Sequence, residues 1–205
     1  MHYFIHADKD TWISSGSNKV TGESFLNQNY GQDSILELKK NFYNLSFDYP
    51  TRILIRFPIT EIQKSVSAGI IKEDQGKPVK YYLRLYEAEG NQELSTEYDL
   101  EALQLSESWD EGTGKFGDSP KVTNGVSWEN RNNFPNVGAV TWNQTYVGSF
   151  GGDSAILGGS VLSSSGHQAS QSFSYESPDV EMDVTDIVGE LLNTTQKNHG
   201  ILLRF

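Results

Sequence analysis

The sequence predicts an all-β fold, a sandwich of antiparallel strands with two short helices and long loops. Two stretches carry most of this prediction, because apolar and polar residues alternate in them with the period of a strand. In residues 51–58 the isoleucines share a face with Phe57, and in residues 79–86 the leucines share a face with Val79. Clusters of Gly, Asn, Asp and Ser separate further short strand candidates, which is typical of a β-sandwich.

Eight weaker strand candidates complete the pattern. They are residues 3–13, 35–40, 100–108, 125–128, 139–142, 171–176, 180–184 and 200–205. Their lengths fit strands rather than helices, and turn-rich segments lie between them.

Two segments predict short helices instead. Thr60 and Gln63 have the spacing of a capping box, in which the threonine caps a helix that continues to Val66. Thr185 is the predicted N-cap of a second helix over residues 186–193, whose apolar residues recur at helical spacing.

Length and composition limit the class of protein. A chain of 205 residues is long enough for one well-buried core, so we expect a single domain over residues 1–205. It has no cysteine, so packing rather than disulfides must hold the fold. No signal peptide or membrane-spanning stretch is recognisable. The net charge of −11 argues against a nucleic-acid partner, because binding phosphates requires a basic face.

Charge is unevenly distributed along the chain. Residues 39–84 hold nine Lys or Arg against four Asp or Glu, whereas residues 97–118 hold seven acids and one lysine and residues 176–190 hold six acids and no base. Such blocks either form complementary patches for head-to-tail protein contacts or cover solvated faces. We favour solvated faces, which are the commoner outcome.

The segment GTGKFG, residues 112–117, matches the Gly-x-Gly-x-x-Gly pattern of dinucleotide-binding loops. That loop functions only between a buried strand and a helix whose N-terminal amides meet the pyrophosphate. Acidic residues precede these glycines and Pro120 follows them, so neither flanking element is expected. We interpret the segment as a tight loop in which Gly112, Gly114 and Gly117 permit positive φ.

No motif for catalysis is present, since the sequence lacks GxSxG, SxxK and HExxH patterns. We therefore expect no enzyme activity, no catalytic residue and no cofactor. A structural calcium ion remains an alternative, because such sites outside the EF-hand leave little spacing signature. Asp8, Asp10 and Asp153 are the candidate ligands.

The four tryptophans allow two interpretations. Aromatic faces stack on sugar rings, but large aromatic residues more often bury against loop bases and anchor them. We favour anchoring for Trp12, Trp109, Trp128 and Trp142.

Residues 149–170 are rich in Gly and Ser, which predicts a mobile loop or an extended arm. The segment nevertheless carries more apolar residues than a linker needs. We expect it to order on a neighbouring subunit, through an assembly contact made by Phe150, Ile156, Leu157, Val161 and Leu162.

The order of landmarks along almost the whole chain resembles the DNRLRE-type domain. The stretches that carry the resemblance are ADKDTWISS, NQNYGQDSILELKK, TRILIRFPI, KYYLRLYEAE, SESWDEGTGKFGDSP, GVSWENRN and VEMDVTDIVGELLNTTQKNHGILLRF. The most telling residues are Asn29-Tyr30-Gly31, the turn from Trp109 to Gly114, the segment 125–128, and Asp183-Val184-Thr185 followed by Asn198 and Gly200.

This resemblance implies a jelly-roll β-sandwich that is related to carbohydrate-binding modules and is found in secreted bacterial surface proteins. The W-x-E-G-x-G turn followed by G-V-S-W is similar to virion structural proteins of tailed bacteriophages. Because no leader, partner domain or anchor is recognisable, we expect assembly rather than sugar capture. The expected partners are other virion proteins and copies of the chain itself. A module that binds surface glycans is the alternative, and the resemblance carries over no catalytic or sugar-binding residue.

Overall fold

The computed structural model describes residues 2–18, 20–39, 41–43, 46–48, 50–88, 97–143, 158–162, 164–174, 179–193 and 197–205, with the backbone alone at 41–43, 46–48 and 193. The strands within these residues are β1 (Lys9–Ser14), β2 (Asn41–Tyr43), β3 (Ser46–Asp48), β4 (Thr51–Arg56), β5 (Tyr82–Leu85), β6 (Glu97–Gln104), β7 (Asn130–Phe134), β8 (Gly138–Thr141), β9 (Gln168–Ser174), β10 (Val180–Asp183) and β11 (Ile201–Arg204). The helices are α1 (Ile59–Ser67) and α2 (Thr185–Asn193).

All pairs of neighbouring strands are antiparallel. The predicted all-β fold with two short helices is therefore confirmed. The finer prediction, that the strands follow a jelly-roll order, stays a prediction.

The largest sheet has five strands in the order β1, β4, β11, β6 and β9. Successive side chains on a strand point to opposite faces of a sheet. Ile53, Ile55 and Leu203 lie in a core on the first face, and Leu54 and Leu202 lie in a core on the second. The alternation predicted for β4 is confirmed, and side chains on both faces of this strand are buried.

A second layer covers the first face of the large sheet. Strands β5 and β10 form a two-stranded sheet, and Leu83 from β5 and Met182 from β10 are buried in the same core as Ile53. Helix α2 adds Ile187 and Leu191 to this core. The strand predicted for residues 79–86 is thus confirmed, with its leucine face directed inward.

Loops and one short hairpin, rather than a second large sheet, cover the second face. Residues 105–142, which we call the loop layer, place Trp109, Trp128 and Trp142 against Leu54 and Leu202. The hairpin of β7 and β8 lies within this layer and pairs with no other strand of the described chain.

Both helix caps differ from the prediction. Pro58 is the N-cap of α1, no side chain caps that end, and Thr60 lies inside the helix. Helix α2 begins at Thr185, and the Thr185 N–H donates to the carboxylate of Asp183 at 3.0 Å. The Thr185 hydroxyl instead accepts from the backbone N–H of Tyr81 at 3.0 Å, so a tertiary contact replaces the predicted local cap.

Two predicted strands are absent and one hairpin was not predicted. Residues 35–39 do not form a strand. Their one backbone hydrogen bond to a strand of the described chain is at Lys39, whose carbonyl accepts from the Thr51 N–H at 3.0 Å. Residues 125–128 make irregular bonds within the loop layer, such as that from the Val126 N–H to the Asp110 carbonyl at 2.7 Å. Strands β2 and β3 form a hairpin that the turn-rich composition of this stretch concealed.

Part of the Gly and Ser rich segment belongs to the domain, contrary to the prediction of mobility. Residues from Gln168 onward form β9, which pairs with β6 along seven residue positions. Val161 forms a bridge with Leu105 and is buried. Apolar burial at these positions offsets the ordering cost that the composition indicated. Residues 149–157 and 163 lie outside the described residues.

Candidate interaction surface

A buried asparagine connects the loops that carry the sequence motifs. The side chain of Asn29 is fully buried. Its Nδ2 donates to the carbonyl oxygens of Glu111 and Val126, each at 2.7 Å. Its Oδ1 accepts from the N–H groups of Gly31 at 3.1 Å and Gly114 at 2.8 Å. All four hydrogen-bonding positions of the amide are thus filled. We call Asn29 and these four partners the Asn29 hub, which fixes three separate loops against one another.

Glycines are needed around this hub for two reasons. Gly112 has a φ of +81° and Gly125 a φ of +92°, which side chains resist. A Cβ at Gly114 would overlap the backbone carbonyl of Asn29. Gly117 has neither property, because its φ is not positive and open space surrounds it. The prediction of positive φ for the three glycines of GTGKFG is therefore right for Gly112 and wrong for Gly114 and Gly117.

All four tryptophan side chains are buried, with exposed fractions of 2–4 %. The Trp12 indole donates to Asp33 Oδ2 at 2.8 Å, and the Trp142 indole donates to the Ser127 carbonyl at 3.0 Å. Rings held in this way present no open face to a sugar. The interpretation of these residues as anchors is confirmed.

The candidate calcium ligands are not assembled into a site within the described residues. The carboxylate of Asp8 accepts two hydrogen bonds from the Arg56 guanidinium, at 3.0 and 2.8 Å. No group of three or more potential metal-ligating side chains occurs among the residues described. Asp153 lies outside those residues. The calcium ion stays an untested alternative.

A small cavity lies beside β1, lined by Lys9, Arg56, Trp109, Asp110 and His199 among others. Its volume is about 130 Å³, well below the roughly 300–1,000 Å³ of ligand pockets. Lys9 Nζ donates to the Trp109 carbonyl at 2.9 Å and lies 3.7 Å from the Asp110 carboxylate. Burial lowers the pKa of His199, and the charge of Lys197 lowers it further. The cavity lies between β1 and the loop layer and is smaller than the usual ligand pocket.

The outward face of β5 exposes aromatic and charged side chains. Tyr82 is 47 % exposed and Tyr86 is 74 % exposed, on the face opposite the buried Leu83. Arg84 lies between them and contacts Glu181 of β10 at 2.7 Å. Exposed aromatic rings of this kind are enriched at protein interfaces.

Strand β5 also has an edge with which no other described strand pairs, and we call it the free edge. The Val184 N–H donates to the Tyr81 carbonyl at 2.9 Å, so odd-numbered residues of β5 direct their backbone groups toward β10. Tyr82, Arg84 and Tyr86 direct theirs to the other side. Within the described part of the chain, β10 is the sole strand that pairs with β5. We call this edge, with the side chains of Lys80, Tyr82, Arg84 and Tyr86, the β5 surface.

An apolar groove lies on the inner side of the same strand. It has a volume of about 360 Å³ and is lined by Val66, Ile71, Val79, Tyr81 and Leu192 together with the polar residues Gln63, Ser67, Lys72 and Glu73. Val66 is 43 % exposed. The edge of β5 therefore has exposed aromatic and charged side chains on its outward side and a partly apolar groove on its inner side.

Ion pairs link the basic and acidic blocks of the sequence at this surface. Lys80 Nζ contacts the Asp183 carboxylate at 2.9 Å. The hydrogen bond from Thr185 lowers the pKa of Asp183, and the bond from Lys80 lowers it further. The bond to Asp183 correspondingly raises the pKa of Lys80. The two blocks therefore neutralise each other in part across β5 and β10, while these side chains remain solvated.

The structure describes two of the five residues predicted to make an assembly contact, Val161 and Leu162. Phe150, Ile156 and Leu157 are not among the described residues. Val161 is 7 % exposed and packs in this chain's own core, and the Leu162 N–H donates to the Gln104 carbonyl at 2.9 Å. That contact stays a prediction.

Sequence reasoning found β5 but did not select it as a site. The available signal was the presence of Tyr82 and Tyr86 on the polar face of an alternating strand, where lysine or glutamate is usual. The free edge left no signal in the sequence.

Comparison with known proteins found no matching family model, no matching curated protein and no matching solved structure. No helix in the described part of the chain has the length and apolar character needed to cross a bilayer.

Proposed function

We propose that this chain is a non-enzymatic structural component of a tailed-phage virion, in the tail, neck, baseplate or capsid surface, where it joins neighbouring subunits. The resemblance to phage virion proteins supports the location. The β5 surface supports the binding role and is the observation that carries the proposal. The partners are other virion proteins and further copies of the chain.

The β5 surface suits binding of a protein strand. A free edge offers a row of N–H and C=O groups to which an extended segment adds, while the flanking side chains give specificity. Complete burial of a large apolar side chain contributes about 1.5 to 3 kcal/mol. Association itself costs about 4 to 15 kcal/mol. A contact of this kind therefore needs several side chains, or repetition of the contact in an assembly.

The Asn29 hub supports the proposal from the opposite side of the large sheet. It holds the loop layer in one arrangement through buried hydrogen bonds. A rigid scaffold loses little conformational entropy when its surface is bound. The loop layer is therefore suited to a structural component.

Mass spectrometry of purified phage particles tests the proposal. We expect peptides of this chain in a constant ratio to a major virion protein after density-gradient purification. A control lysate spiked with the purified protein measures adventitious carry-over. Particles whose other tail proteins are detected, but which lack this chain, would contradict the proposed location.

Glycan binding is the second candidate, and the pair of exposed tyrosines favours it. Tyr82 begins β5 and Tyr86 directly follows its last residue, so in extended backbone their Cα atoms are separated by about 13 Å. Two rings on a flat face can stack on separate sugar units of one chain. A glycan array should then show binding that Tyr82→Ala and Tyr86→Ala remove and that Tyr3→Ala, at another exposed tyrosine, leaves intact.

A further inference from the structure

We propose that two copies of this chain pair through the free edges of β5, antiparallel and about a two-fold axis at Leu83. The two hairpin sheets then join into one sheet of four strands, with the β10 strands outermost. The inference deepens the proposed assembly role and rests on it for its place in a virion, because it names a second copy as a partner.

The backbone of β5 limits the possible pairings. Tyr82, Arg84 and Tyr86 direct their N–H and C=O groups away from β10, so a second strand bonds to these residues. In a second copy the same three residues are free to bond. A two-fold antiparallel pairing of β5 with itself therefore has three central registers, with the axis at Leu83, Arg84 or Leu85.

Side-chain chemistry favours the register with its axis at Leu83. There, Tyr82 lies opposite the partner's Arg84, and Tyr86 lies opposite the partner's Lys80. Each ring meets a cation, and cations are attracted to aromatic faces. The alternating order Lys-x-Tyr-x-Arg-x-Tyr is thus complementary to itself when it is reversed.

The other two registers are less favourable. With the axis at Arg84, that residue lies opposite the partner's Arg84, and like charges directly opposite each other destabilise a strand pair. With the axis at Leu85, Tyr82 lies opposite the partner's Ala88 and loses its cation.

The inner face is complementary in the same register. Leu83 lies beside the partner's Leu83, and Tyr81 lies opposite the partner's Leu85. Tyr81 and Leu85 are both partly buried in the single chain and pack against the core on the first face of the large sheet. Tyr81 also lines the apolar groove, so the partner's Leu85 covers apolar surface that is open in one copy.

Charge at the edge does not prevent this pairing. Basic side chains normally protect an edge strand, because pairing would bring their charges together. Here Glu181 contacts Arg84 and Asp183 contacts Lys80, at 2.7 and 2.9 Å. Each cation of the paired strands is therefore neutralised by a carboxylate from the β10 strand of its own chain.

Sedimentation velocity and light scattering of the purified full chain test the pairing. We expect a dimer of twice 22.9 kDa that dissociates on dilution. Tyr82→Lys puts a lysine opposite the partner's Arg84 and should weaken the dimer about tenfold or more. Tyr82→Glu puts a carboxylate there and should retain it. With the axis at Arg84, residue 82 lies opposite the partner's Tyr86, so the two substitutions would act alike.

Two controls separate misfolding from loss of pairing. Tyr82 neighbours Asp183 within one chain, so Tyr82→Lys meets an opposite charge there and Tyr82→Glu a like charge, and the circular dichroism of both variants should match that of the parent. Val137→Ser changes a residue that is 75 % exposed in the β7–β8 turn and should leave the dimer unchanged.

Cysteine cross-linking tests the register directly, because the chain has no native cysteine. A mixture of Tyr82→Cys and Arg84→Cys proteins should form disulfide-linked heterodimers under mild oxidation. Arg84→Cys protein alone should form few linked dimers. The reverse result would place the axis at Arg84 and overturn the proposed register.

The outcomes distinguish this inference from the proposed function. A chain that stays monomeric up to about 100 μM would overturn the pairing, since that concentration detects even weak association. If such a monomer is still found in particles, the virion role stands and the pairing falls. A dimer that is missing from particles leaves the pairing standing and contradicts the virion role.

Discussion

Replacing Asn29 with alanine should be the most damaging single truncation of a polar side chain in the loop layer. The substitution removes four hydrogen bonds and leaves the carbonyls of Glu111 and Val126 and the N–H groups of Gly31 and Gly114 without their partner. A buried polar group left without a partner costs about 1 to 3 kcal/mol. Because water entering the vacated space recovers part of that loss, we expect about 4 kcal/mol in total.

Urea denaturation followed by tryptophan fluorescence measures this loss, since all four tryptophans are buried. With an m-value of about 2 kcal/mol/M, a loss of about 4 kcal/mol lowers the midpoint by about 2 M. Asn136→Ala is the matched control, because Asn136 is exposed in the β7–β8 turn. Asn29→Asp should also destabilise, since it keeps the acceptor but loses both donors of the amide.

A loss below about 1 kcal/mol for Asn29→Ala would refute the argument, because a typical single hydrogen bond contributes that much. Equal stability of the Asn29→Asp and parent proteins would refute the claim that the two donors matter.

Three further predictions follow from the structure. Gly112→Val should lower the melting temperature strongly, because Gly112 has a φ of +81° and contacts the Asn29 hub. Gly117→Val should lower it little, since Gly117 lacks both properties. Calorimetry should detect no nucleotide binding to the parent protein. Asp183→Asn should reduce stability only slightly at neutral pH, because the ion pair with Lys80 is solvated. The pKa of Asp183 is lowered in the folded chain, so the carboxylate contributes stability above the unfolded pKa of 3.8, and this contribution is lost as pH falls through the folded pKa. The urea midpoints of the parent and Asp183→Asn proteins should therefore differ at pH 7 and converge in acid. Far-UV circular dichroism should show much less helix than the third that is average for globular proteins, since α1 and α2 have nine residues each, and a higher content would contradict the fold.

The sequence predicted elements best where one periodic pattern ran through them. The alternation in β4 and β5 located both strands and gave the buried face of β5, whereas Leu54, on the opposite face of β4 from Ile53, is buried as well. Local patterns failed where a distant group competed for the same atoms. The hydroxyl of Thr185 has the right position for a local cap, but it accepts from the N–H of Tyr81, which lies 104 residues away.

The Asn29 hub shows why part of the site escaped local reasoning. The resemblance selected residues 29–31 and the segment from Trp109 to Gly114 as motifs, without giving their contacts. The hydrogen bonds from Asn29 reach Glu111 and Val126, which lie 82 and 97 residues along the chain. No pattern within a short window contains such a pairing.

The sequence by itself determined the class of fold and the main strands, because side-chain periodicity and turn residues act locally. The tertiary structure alone decided that Asn29 bridges three loops and that no described strand pairs with the outer edge of β5. Each of these depends on which segments lie next to one another. The exposure of Tyr82 and Tyr86 follows from the same cause, since the face of a two-stranded sheet stays in contact with solvent only where no other segment packs on it.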